Sequence, residues 1–131
     1  MSEPCFRFVC APSALAGAPA GWAREMLEQG EIALLGADGL SAVNEVAHEL
    51  GQVSIMLIRS EPEDNQQDRT VIGYAASLPL IWVAPSFSQH ARAWAQDRGP
   101  MTLLVEASGT LESEERRRID RFVSTLGRQS E

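Results

Sequence analysis

Short apolar runs recur along the chain at 6–10, 31–35, 53–58, 80–84 and 101–105, and more polar stretches lie between them. Runs of this length without strict alternation are what strands covered on both faces look like. After the second run Leu40, Val43, Ala47 and Leu50 return at spacings of three and four, which predicts a helix that Gly51 stops. A helix is also predicted at 22–29, although Gly17, Pro19 and Gly21 make the approach to it a poor helix. Residues 70–77 are read as a short helix, 86–98 as one that buries Phe87, Ala91 and Trp94, and 112–126 as one with Ile119, Phe122, Val123 and Leu126 on a single face. Ser86 is placed to cap the helix at 86–98. The polar segment at 61–68 reads as a solvated loop.

This order of elements predicts a (βα)5 domain: an α/β three-layer sandwich with a five-stranded parallel sheet, right-handed crossovers and helices on both faces. The run at 53–58, apolar apart from Ser54, is expected to be a central strand. With 131 residues the chain is expected to form one domain over 1–131, since single domains span roughly 50 to 200 residues.

Charge narrows the partners. A formal charge of −7 argues against nucleic acid, whose binding needs clustered cations. All eleven basic residues are Arg, so lysine chemistry such as a Schiff base is excluded. Arg116-Arg117-Arg118 follows Glu112, Glu114 and Glu115 and reads as a solvated helix face. No apolar run reaches the roughly 20 residues of a membrane span, and Glu3 stands where a secretory leader would be basic, so a cytoplasmic protein without a membrane partner is expected.

Candidate chemistry is sparse. Cys5 and Cys10, an odd number of residues apart on the first strand, are expected on opposite faces without a disulfide. With only His48 and His90 beside them, no metal site or cofactor is expected. Glu61, Glu63, Asp64 and Asp68 lack the alternating ligands and glycine turn of a Ca²⁺ loop. No glycine-rich phosphate loop follows a strand, and Ser86 or Ser88 with His90 and Asp97 does not specify a triad.

Ala37-Asp38-Gly39 followed by Ala42-Val43 is similar to the ADG-x-x-AL signature of response-regulator receiver domains, and Pro79-Leu80-Ile81-Trp82-Val83-Ala84 resembles that family's PVIxLT segment. The separation of Ala84 and Glu106 matches the family's gap between its hydroxyl residue and its lysine. The resemblance runs from Phe6 to about Leu126 and implies a flavodoxin-like receiver fold whose phosphorylation residues are missing. Cys10, Ala11 and Pro12 stand where the family has its acidic pair, and Ile58, followed by Arg59 and Ser60, where it has the phosphoacceptor aspartate. Ala84 replaces the hydroxyl residue, Glu106 the lysine and Leu103 the switch aromatic. Without carboxylates a hard dication has no ligands, and Ile58 cannot form an acyl phosphate.

The expectation is therefore a phosphorylation-independent pseudo-receiver, not an enzyme, that binds a protein partner or a second copy of itself in bacterial signalling. The receiver resemblance implies a working face on the helix at 86–98, the fifth strand and the last helix, with His90, Trp94, Arg117, Arg118 and Arg121 as candidates. The alternative is a small-ligand or nucleotide-binding or processing domain that uses the carboxyl ends of the strands. Val71-Ile72-Gly73-Tyr74-Ala75 is similar to a segment of nucleoside deoxyribosyltransferase-like proteins, but Val71 stands where those have the glutamate nucleophile.

Overall fold

The structure, a computed structural model, describes residues 5–15, 19–36, 40–49, 56–58, 61, 63–107 and 109–129. Strands β1 (Arg7–Cys10), β2 (Glu31–Leu35), β3 (Met56–Ile58), β4 (Leu80–Ala84) and β5 (Thr102–Glu106) alternate with helices α1 (Pro12–Leu15), α2 (Ala20–Gln29), α3 (Leu40–Glu49), α4 (Asp64–Ala75), α5 (Gln89–Arg98) and α6 (Ser113–Gln129). All strand pairs are parallel, and the class expected from the apolar pattern, an α/β fold with a five-stranded parallel sheet between helices, is the one observed.

The strand order is β3-β2-β1-β4-β5. It corrects the expectation that the third strand is central, because β3 pairs only with β2 and lies at the sheet edge. Residues 53–55 of that expected strand, and the Ala37-Asp38-Gly39 motif, lie outside the described residues. In this order the chain winds outward from β1 through β2 and β3, then returns to place β4 on the other side of β1. The point of reversal lies between β1 and β4, where doubly wound sheets leave a crevice at their carboxyl ends.

Strands β1, β2, β4 and β5 each feed two cores because successive side chains point to opposite faces, whereas edge strand β3 buries Ile58 on one side and exposes Leu57. On one face Phe8, Cys10, Ile32, Leu34, Ile81, Val83 and Val105 meet Leu15, Met26, Val43, Val46, Ile119 and Leu126 from α1, α2, α3 and α6. On the other, Val9, Ala33, Ile58, Leu80 and Trp82 meet Val71 and Ala75 of α4 and Ala91 of α5. Full burial of such a side chain stabilises by about 1.5–3 kcal/mol, so the two cores are the main stabilising term.

Gly30 joins α2 to β2 where a side chain would not fit: a Cβ there would lie 2.3 Å from the ring of buried Phe6. The region before α2, expected to be a poor helix throughout, contains the turn α1, and Leu111 from the β5–α6 connection is tied to it by an N–H···O bond of 2.9 Å to Ala14.

Two further expectations are corrected. The segment 61–68 is not loop to its end: α4 starts at Asp64 and takes in Asp68, because Asp68, Val71 and Ala75 share the stripe that packs on the sheet. Ser86 does not cap the next helix. Ser88 does, its Oγ accepting the N–H of Ala91 at 3.0 Å, so α5 starts at Gln89 and runs to Gly99, whose φ of +63° suits a residue without Cβ.

Candidate functional site

Parallel α/β sheets place ligands at the carboxyl ends of their strands, and these ends carry the positions that would form a receiver's phosphorylation site. Ala84 and Glu106 face each other in register, and Cys10 lies on the adjoining β1. Ile58 is elsewhere: it pairs with Leu35 of β2, so a whole strand separates it from Cys10. A sheet ordered 2-1-3-4-5 would set the first and third strands side by side. The arrangement here therefore does not bring Cys10, Ala11, Ile58, Ala84 and Glu106 into one site.

The side chains differ in setting as well as place. Ile58 is buried among Val9, Ala33 and Val71, as an apolar residue should be. Cys10 is fully buried, and desolvation raises its thiol far above the ordinary range, which leaves no thiolate for nucleophilic or metal chemistry. Both Cys5, which is exposed, and Cys10 are free thiols. Glu106 is exposed but not without a cation, since the guanidinium of Arg92 on α5 donates to its carboxylate. Val71 is fully buried under the sheet, so the position that would be nucleophilic in a deoxyribosyltransferase-like reading faces no solvent.

The crevice contains a different constellation, on α4, β4 and the α5 N-terminus. A cavity of about 270 Å³ is lined by Leu35, Trp82, Ala84, Ser86, Ser88 and Asp68, among others. Asp68 is 6% exposed and is the only charged side chain classed as buried among the described residues. Its Oδ2 accepts the Ser88 hydroxyl at 2.5 Å, while the same Ser88 oxygen accepts the Ala91 N–H. Reading 61–68 as solvated loop missed Asp68. The available signal was its phase, three positions before Val71 and seven before Ala75, which sets a carboxylate on the apolar stripe of a helix. Ser88 was weighed only as a member of an unsupported triad.

Of the five residues expected on a working face, Arg118 and Arg121 of α6 line one groove, of about 410 Å³, whose floor includes Leu103 of β5 and Phe122 of α6. Arg118 also reaches across β5, its Nη2 lying 3.4 Å from the Leu104 carbonyl oxygen, and borders a second hollow with Phe87, Arg92 and Glu106. Arg117 and His90 are exposed. Trp94 is half-buried against the α4/α5 core, with the Arg98 guanidinium 4.7 Å from its ring centroid, so it is committed to packing more than to a surface.

Among the described residues no group of three His, Cys, Asp or Glu is placed to hold a metal ion, and no helix is long and apolar enough to cross a membrane. Comparison of the chain with protein-family models, with curated proteins and with solved structures gave no match.

Proposed function

We propose that this domain is a phosphorylation-independent interaction module that grips a protein partner at the β5 edge and the adjoining groove of α6. The observation that carries the reading is the groove in which Leu103 and Phe122 lie under Arg118 and Arg121. Aromatic and Arg side chains around a partly apolar floor are the composition of interface centres. As an edge strand, β5 also has one side unpaired in the sheet, and such edges accept an extended segment from another chain.

The occupant that fits is an acidic segment of a partner. Arg118 and Arg121 line the groove beside β5 without an acidic residue among its lining, in a chain whose net charge is −7. Arg92 in the neighbouring hollow is paired with Glu106, so the groove itself is a cationic spot on an acidic molecule. The receiver resemblance suggests bacterial signal transduction as the setting. A receiver-type phosphorylation site is not part of the reading, because the strand order parts Ile58 from Cys10.

A photoreactive residue at Thr125, which lines the groove, tests this against one at exposed Glu45 on α3. In cells producing the domain, the Thr125 probe should give a discrete adduct that Arg118→Glu with Arg121→Glu removes, while the Glu45 probe gives none. Equal adducts at both positions, or an adduct that survives charge reversal, would overturn the proposal. An adduct of twice the chain mass would replace the acidic partner by a second copy.

A further inference from the structure

The cavity at the reversal point of the sheet is independent of the β5–α6 face, and its contents ask for a ligand of definite chemistry. Asp68 is 6% exposed, and a carboxylate so far removed from water needs donors. Ser88 donates to Oδ2, while Oδ1 takes no hydrogen bond from the described residues and, unlike the buried unpartnered atoms of Arg7, Arg98 and Thr102, keeps an opening to the cavity and solvent. The N-terminus of α5 offsets part of the charge through its dipole, but its Ser88 hydroxyl already serves both as cap and as donor to Asp68. Among the described residues lining the cavity there is no Arg or His to complete the compensation. The other polar lining residues, Gln67 and Ser86, are neutral, and the apolar side is formed by Leu35, Ala84, Pro85 and Trp82, whose ring is edge-on to Phe87 at 5.2 Å between centroids.

We propose that this cavity binds a small organic ammonium ion, its N–H donating to Asp68 Oδ1 and its hydrocarbon part lying against Leu35 and Trp82. An anion is disfavoured because the only charged group among the described lining residues is itself negative. A ligand of drug size is disfavoured by the volume of about 270 Å³, just below the roughly 300–1,000 Å³ of ordinary ligand pockets. Ser86 lines the cavity, is exposed and takes no part in the Asp68–Ser88 bond, so a bulky side chain there would fill space that a ligand needs.

The test is an NMR titration of the isotope-labelled chain with methylamine, butylamine and phenethylamine, each compared with its alcohol counterpart. At least one amine should shift the Trp82 indole and Ser88 amide signals saturably, and its alcohol should bind roughly tenfold more weakly or less. Asp68→Asn should lower amine affinity by a similar factor. Because that change also weakens the tie between α4 and α5, Ser86→Phe is the second variant, and it should abolish the shifts while leaving the rest of the spectrum native. Absence of saturable shifts with all three amines, equal binding of amine and alcohol, or full binding by Ser86→Phe would each overturn the proposal.

Discussion

Tyr74 of α4 donates its hydroxyl hydrogen to the Glu31 carboxylate of β2, while the Arg7 guanidinium of β1 lies 4.7 Å from the Tyr74 ring centroid. Arg7 also donates to the Tyr74 carbonyl and lies 3.7 Å from Glu31, so three side chains clamp the end of α4 to the amino ends of β1 and β2. Burial, then the bond to Glu31, pushes the Tyr74 hydroxyl well above its ordinary value of 10.0. The folded state thus favours the neutral phenol. Its contribution is complete below pH 10 and is lost as pH rises beyond the unfolded value. Tyr74→Phe should cost about 1–2 kcal/mol at neutral pH, by chemical denaturation, through loss of the hydrogen bond. Between pH 10 and 11 the wild type should lose stability toward the variant, and parallel pH profiles would rule the clamp out.

Ser88→Ala removes a cap and strands a buried carboxylate in one step. A lost N-cap costs about 1 kcal/mol, and an unsatisfied buried charged acceptor adds a further 1–3 kcal/mol. Ser86→Ala removes only an exposed side chain and should stay within about 0.5 kcal/mol of wild type. Equal effects of the two substitutions on the urea midpoint would mean that the cap has been misassigned.

Ile58 packs with Val9, Ala33 and Val71 on an edge strand, and both β2 and β1 lie between it and the pair Ala84–Glu106 in the sheet order. Ile58→Asp should therefore cost about 2 kcal/mol or more and create no phosphoacceptor, because a carboxylate would be desolvated among apolar neighbours. Neither wild type nor variant should change its amide spectrum with Mg²⁺ and beryllofluoride. An unchanged melting temperature in Ile58→Asp, or saturable shifts at the ends of β1 and β3, would contradict this.

Arg117, Arg118 and Arg121 are all exposed on α6, yet only the last two border the groove over Leu103 and Phe122. Charge reversal at any of them should alter stability by less than about 0.5 kcal/mol. Association should fall for Arg118→Glu and Arg121→Glu and hold for Arg117→Glu, measured with the partner cross-linked through Thr125. If all three variants bind alike, the groove is not the contact.

Much of the architecture is written locally. The bounds of β2 and β4 coincide with the apolar runs at 31–35 and 80–84, and the stripe Ile119, Phe122, Val123, Leu126 marks the inward face of α6, because alternation and helical periodicity depend on neighbours within a few residues. The start of α4 was hidden because Asp64 to Asp68 is polar throughout and its helical phase is legible only from Val71 and Ala75 backwards. Capping by Ser88 rather than Ser86 depends on where the chain leaving β4 turns, which either serine would permit.

The strand order was not readable at all. A run such as Met56-Leu57-Ile58 has the same apolar pattern whether it pairs on one side or two, and only the packing of the crossover helices decides which strand becomes its neighbour. Neighbouring residues in the chain are enough to mark the strand-forming runs, the apolar face of each helix, and the absence of a receiver's acidic and lysine residues at the matched positions. Tertiary structure alone decided that Ile58 is parted from Cys10 and that Asp68 meets Ser88 beside Trp82, because those separations and contacts join segments far apart in the chain, whose approach is set by burial of the two cores.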